Sequence, residues 1–232
     1  MITPRPSHER GHADHGWLRA RHTFSFARYV DRRYAGYSAL CVLNDDVITP
    51  GGGFGMHPHS DMEIVTYVLD GALEHQDSLG NGSVIRAGDV QYISAGTGVL
   101  HSEFNPSDSE PVHLLQIWIL PERNGAAPCY GQKHIPAEEK RGRWRGIVSP
   151  DGRDDTLAIR QNASILATRL DGDAPLHYRP EPGRRQYLHL ARGSASLNGI
   201  LLNEGDGAFV ENETLLTLSD AEGAEALLFD LP

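Results

Sequence analysis

Ile64-Val-Thr-Tyr-Val-Leu-Asp70-Gly71-Ala-Leu-Glu-His-Gln-Asp-Ser-Leu79-Gly80-Asn81-Gly82 is the stretch on which the fold turns. Ile64 to Leu69 reads as a mostly buried strand that ends at Asp70-Gly71. Ala72 to Leu79 then leads into Gly80-Asn81-Gly82, a turn signal of the hairpin kind. Outward from this pair, Val84 to Arg86, Val90 to Ile93 and Leu114 to Leu120 continue the series of short apolar runs. The 3.6-residue period of an amphipathic helix is weak nearly everywhere. One short helix is expected from Pro136, because proline suits a first helical turn. Many short strands at close spacing predict an all-β sandwich or barrel.

The pattern occurs twice. In the first half Tyr67-Val68-Leu69-Asp70-Gly71 is followed by Gly88-Asp89 and later by Leu114 to Pro121. In the second half His189-Leu190-Ala191-Arg192-Gly193 is followed by Gly205-Asp206 and later by Ala226 to Pro232. Two similar β-units in tandem are the economical reading. Between them, from about Pro121 to Asp155, glycine, proline and charge replace strand signals. The expected organisation is a first domain over 1–125, a linker over 126–155 and a second, shorter domain over 156–232.

Composition sets the outer limits. The 232 residues carry a net charge of -10, with 39% hydrophobic and 22% charged residues, so a disordered chain is excluded and a core can form without disulfides. No run approaches the ~18 apolar residues of a membrane span. The N-terminal MITPRPSHER has prolines and charges where a signal peptide needs an apolar segment, so a cytoplasmic location is the expectation. Acids outnumber bases 31 to 21, which argues against direct binding to nucleic acid. The dense basic stretch Lys140-Arg141-Gly142-Arg143-Trp144-Arg145 reads as a solvated surface segment. Cys41 and Cys129 do not form a C-x-x-C pair and supply no thiolate metal site.

Histidine is the unusual residue, at 12, and nine of these fall within the first 113 positions. In Gly51-Gly-Gly-Phe-Gly-Met-His57-Pro-His59-Ser-Asp-Met-Glu63, alternate residues of a strand share a face, so both imidazoles can aim at one point. In a chain this rich in histidine, the pair alone is weak. It gains weight from Ala95-Gly96-Thr97-Gly98-Val99-Leu100-His101-Ser102-Glu103, where His101 and Glu103 again lie two apart after a glycine-punctuated turn. His57, His59, His101 and Glu103 form a set of N and O donors, and an octahedral ion so held keeps two open positions. Imidazole and carboxylate suit Fe, Ni, Co, Mn, Cu and Zn alike. His8, His12 and His15 read as surface or packing residues. His22 and His75 line a pocket or make structural hydrogen bonds, and both readings stay open.

These segments resemble the two cupin motifs: Gly51-x5-His57-x-His59-x3-Glu63 with Gly71, one residue longer than usual, and Gly88-x7-Gly96-x-Gly98-x2-His101-x3-Asn105, without its usual proline. More specifically, the chain resembles the pirin family of the bacterial type. The match rests on His15-Gly16-Trp17, Arg21-His22-Thr23-Phe24-Ser25-Phe26, His57-Pro-His59, Thr66 to Gly71, His75-Gln76-Asp77-Ser78, Gly88-Asp89-Val90-Gln91, Ala95 to Gly98, His101-Ser102-Glu103 and Gln116-Ile117-Trp118. It is dense through residue 121 and thins afterwards. The resemblance implies a bicupin of two antiparallel β-barrel or jelly-roll domains, with one divalent metal on His57, His59, His101 and Glu103 and with Glu63 behind these ligands. Counting back from Gly193 puts Arg179 and Glu181 near the places of His57 and His59, so the second copy is expected to hold no metal.

The resemblance further implies a metal-dependent dioxygenase of the quercetin 2,3-dioxygenase type, with Fe2+ the favoured cofactor. It would open a flavonol with loss of carbon monoxide, and Glu103 would take the proton of the substrate hydroxyl. Its partners would be a small aromatic substrate and dioxygen, and a monomer is expected. Another enol or hydroxy-aromatic would suit the same chemistry. Eukaryotic members resemble metal-dependent transcriptional cofactors, so a regulatory protein that binds a protein partner is the alternative.

Overall fold

Alternation along the strands decides what faces inward. In Val99–Phe104, Val99, His101 and Glu103 are buried while Leu100 and Phe104 are exposed. In Gly53–His59, Met56 and Pro58 are exposed and the two histidines between and beyond them are half-buried. The computed structural model describes residues Met1–Pro232 and is built almost wholly from such strands. Its one α-helical turn, Ala137–Lys140, starts after Pro136 as expected. No helix is long and apolar enough to cross a membrane.

The chain forms two compact units. One comprises Gly11–His134 with Ile159–Gln161. It contains a seven-stranded sheet in the order Cys129–His134, Asp89–Ser94, Glu63–Asp70, Val112–Ile119, Leu40–Ile48, Leu18–His22, Gly11–Asp14. It also contains a four-stranded sheet in the order Gly53–His59, Val99–Phe104, Ala72–Asp77, Gly82–Arg86. The two sheets share a core: Leu18, Ala20, Ile48, Val68, Val112 and Leu114 from the first pack with Leu73 and Ile85 from the second. Burying each of these Leu, Ile and Val side chains contributes roughly 1.5–3 kcal/mol.

The other unit comprises Met1–Arg10, Ile135–Ala158 and Asn162–Pro232. Its single nine-stranded sheet is centred on two long strands, Arg185–Leu197 and Leu216–Leu231, over a core that includes Leu188, Leu190, Leu202, Val210 and Leu228. All three sheets keep free edges, as jelly rolls do and a closed barrel does not.

The units divide differently from the expected 1–125, 126–155 and 156–232. Ile2–Arg5 pairs with Gly207–Glu211, which places the N-terminus in the second unit. The stretch expected as a linker contributes Cys129–His134, paired with Asp89–Ser94, and Arg145–Ser149, paired with Ser164–Gly172. Ladder bonds are made by backbone groups, so an edge strand forms on polar sequence that carries no apolar alternation.

Glu63 fastens Ile159–Gln161 to its unit. Its buried carboxylate accepts from the Tyr92 hydroxyl, from Ser94 Oγ at 2.7 Å and from the Arg160 backbone N–H at 3.0 Å. Glu63→Ala strands these donors and is expected to destabilise the unit by roughly 1–3 kcal/mol, read from urea unfolding followed by tryptophan fluorescence.

Candidate metal centre

Register brings the three histidines together. His101 stands opposite His57, and Val99 opposite His59, on adjacent antiparallel strands. Ring centroids lie 4.4 Å apart for His57 and His101, 4.8 Å for His57 and His59, and 4.9 Å for His59 and His101. The strands approach closely because residue 53 is glycine: a Cβ there would collide with the backbone of Glu103 and Phe104. The turn before the second strand needs Gly96, whose φ is +45° and whose Cβ would meet the Ala126 carbonyl.

One nitrogen of each His57, His59 and His101 falls within 4.8 Å of the others. The His57 Nδ1–H donates to the Gly55 carbonyl at 2.8 Å, which leaves Nε2 as the lone-pair nitrogen. His101 is buried, and neither ring nitrogen has a hydrogen-bond partner. Burial, then the neighbouring His57, lowers the His59 pKa to about 4. Burial, then His57, His59 and His75, lowers that of His101 to about 3. Both rings are neutral at physiological pH, the form that binds metal. Crowded lone pairs without protein donors are what a divalent transition ion fits.

Glu103 joins His101 and His75 in a second group of donors within 4.8 Å, all buried. Its carboxylate accepts from Gln116 Nε2 at 3.0 Å and Gln91 Nε2 at 3.3 Å. Burial pushes its pKa up to about 7 against the opposing effect of these amides. Glu63 belongs to neither group, its oxygens being taken by Tyr92, Ser94 and Arg160. His75 stacks on Tyr130 at 5.0 Å, and its Nε2 meets Asp77 at 3.1 Å while Nδ1 is unpartnered.

A cavity of about 190 Å³ opens over the triad, with Phe26, Phe54, Ile64 and Trp118 among its apolar walls and Asn44, Asp46 and Gln116 among its polar ones. Trp118 sets its ring edge-on to His59 at 4.9 Å, and Phe26 packs edge-on to Trp118 at 5.5 Å. Sequence reasoning missed Gln91, Asn44 and Asp46 as site residues. Their signal was a polar side chain inside an apolar run, as in Val90-Gln91-Tyr92 or Leu43-Asn44-Asp45-Asp46-Val47.

The pirin family's sequence profile matches residues 4–119, and that of the quercetinase C-terminal cupin domain matches 146–231. Over 232 residues the chain is 46% identical to the quercetin 2,3-dioxygenase of Escherichia coli (strain K12), covering 100% of this chain and 99% of that protein. It is 44% identical over 231 residues to a pirin-like protein of Caulobacter vibrioides, covering 99% of each. The crystal structure of the bacterial pirin YhhW from E. coli in complex with nickel(II) superposes with a TM-score of 0.95 at 45% identity, covering 100% of this chain and 99% of that one. With a bicupin fold, both profiles in order and relatives matched end to end, the chain belongs to the pirin family.

Proposed function

We propose that this protein is a metal-dependent dioxygenase that opens a flavonol of the quercetin type with loss of carbon monoxide. The observation that carries the reading is the triad of imidazoles at the floor of an aromatic-walled cavity, with a buried carboxylate beside His101. The relative named quercetin 2,3-dioxygenase and the nickel complex of a bacterial pirin support it.

His57, His59, His101 and Glu103 would hold one divalent ion, with Fe2+ favoured. When bound, the ion supplies Lewis acidity that favours the deprotonated form of a substrate hydroxyl and open positions for chemistry with dioxygen. Glu103 accepts the proton of the flavonol 3-hydroxyl, a task suited to a carboxyl that burial has raised to about 7. Gln91 and Gln116 fix the carboxylate's orientation. The rings of Phe26, Phe54 and Trp118 clamp a planar aromatic molecule and keep water from it. The Trp118 indole N–H, buried without a protein acceptor, offers a hydrogen bond to a substrate oxygen.

Metal-reconstituted protein is expected to bleach the quercetin absorbance band in air, with one carbon monoxide released per flavonol, and to leave it intact under anaerobic conditions. Equal slow loss with and without oxygen overturns the reading. Glu103→Ala should lose about 10²–10⁴-fold in kcat/KM. Folded Glu63→Ala should keep activity within about tenfold, since its carboxylate serves a structural network.

Proton competition gives a second check. As pH falls through about 7, Glu103 takes up the proton that metal must displace. Metal affinity should therefore drop roughly tenfold per pH unit from this group, and Glu103→Gln should lack that component in chelator competition. His59 and His101 stay neutral down to about 4 and 3 and add no slope above pH 5. Gln116→Leu should weaken metal binding by roughly 10–100-fold by freeing the carboxylate.

A further inference from the structure

The strand Val99–Phe104 has a histidine-bearing neighbour on each side. In the four-stranded sheet it lies between Gly53–His59 and Ala72–Asp77. On one side His101 stands opposite His57; on the other, His101 stands opposite Asp77 and Glu103 opposite His75. Directly opposed residues of antiparallel strands share a face, so His75 and Asp77 lie on the inner face with the donors already described. Two groups of candidate ligands result, with only His101 in common: His57, His59 and His101, and His75, His101 and Glu103. The first group lines the cavity. The second is buried throughout, and His75 is not among the residues that line the cavity.

His75 is 0% exposed, and its two ring nitrogens have different surroundings. Nε2 meets Asp77 Oδ2 at 3.1 Å, and the same carboxylate accepts from the backbone N–H groups of Leu79 and Asn81 and from Asn81 Nδ2. A carboxylate only accepts, so Nε2 carries the proton and the lone pair of the neutral ring falls on Nδ1. Nδ1 is buried without a partner. Tyr130, stacked on the ring at 5.0 Å, turns its hydroxyl to Ser83 instead. The His75 ring centroid lies 5.5 Å from that of His101. An imidazole with one nitrogen fixed by a carboxylate and the other holding an unused lone pair has the arrangement of a metal-ligating histidine. Two such rings and a carboxylate are donors for a divalent transition ion.

We infer that His75, His101 and Glu103 form a second, inner position for a divalent transition ion, with His75 as a ligand held in place by Asp77. A neutral imidazole has one lone-pair nitrogen, so His101 serves one ion at a time and the inner and cavity positions exclude each other. The chain therefore binds a single ion that is shared between two positions, and His75 is the residue on which the inner one depends. This rests on the reading that a divalent ion binds the histidine cluster, and not on the flavonol reaction.

Zn2+ is the probe, with chelator competition for affinity, metal analysis for stoichiometry and nitrogen NMR of histidine-labelled protein for the nitrogens that bind. Wild type is expected to bind one Zn2+ per chain. His57→Ala/His59→Ala, which dismantles the cavity position, should still bind one, and the His75 Nδ1 resonance should move on its addition while Nε2 keeps its proton. Adding His75→Phe, which keeps a ring against Tyr130, should then weaken zinc binding by at least about 100-fold, more than follows the loss of a group that only orients a ligand. In the wild-type background the same His75→Phe should change affinity by less than about threefold, because the cavity position remains. Equal losses in the two backgrounds mark a purely structural role for His75 and overturn the inference. So does zinc bound to the double variant with the His75 Nδ1 signal unmoved, a readout that needs no triple variant to fold. Should the double variant fail to fold, His57→Ala alone carries the same comparisons. If wild type binds zinc and the folded double variant does not, the metal centre stands and only the inner position falls. If wild type binds no zinc, the metal-centre reading fails and takes this inference with it.

Discussion

The structure of the site depends on burying lone pairs that no protein group satisfies. His101 lies inside the unit with both ring nitrogens unpartnered, and two more imidazoles lie within 5 Å of it, centre to centre. Each unsatisfied buried polar group costs roughly 1–3 kcal/mol, so the arrangement survives only because surrounding packing enforces it. Strand register, the close approach at Gly53 and the turn at Gly96 leave these side chains no other place. A cation bound by the same lone pairs offsets the cost, which couples metal binding to the stability of the unit.

The two sheets of that unit divide the work. The four-stranded sheet presents the imidazoles and Glu103 on its inner face and exposes Met56, Leu100 and Phe104 on its outer one. The seven-stranded sheet presents the amides that orient Glu103, together with Asn44, Asp46 and the aromatic ring of Trp118. The candidate metal donors and the side chains that orient Glu103 or line the cavity thus come from opposite walls. The side chains on each wall are held by a rigid ladder rather than by a loop, which favours precise placement.

Much of the fold was legible because strand residues announce themselves. Apolar alternation from Ile64 onward and the glycine-bearing turns marked the strands, and the tandem repeat marked two units. The boundary was not legible. Ile2–Arg5 and Cys129–His134 are edge strands whose pairing is made by backbone, and Ile159–Gln161 belongs to the first unit through a carboxylate 96 positions or more away in sequence. At the site, the spacing His57-x-His59 and His101-x-Glu103 placed donors in pairs on common faces. It could not place Glu63, whose carboxylate turns to Tyr92, Ser94 and Arg160.

The sequence by itself determined the class of structure and the inventory of donors, because the period of a strand and the chemistry of imidazole are local properties. Tertiary structure alone decided which donors meet. His57 and His101 are 44 positions apart and become neighbours only through strand register. The row of polar residues that runs from Gln91 through Thr66, Gln116 and Asn44 to His22 across the seven-stranded sheet draws one residue from each of five strands, and no spacing in the chain encodes it. Nor does any local feature record that His101 loses water while both its ring nitrogens stay unpartnered. That follows from the closing of two sheets over it, a property of the folded unit and not of any segment.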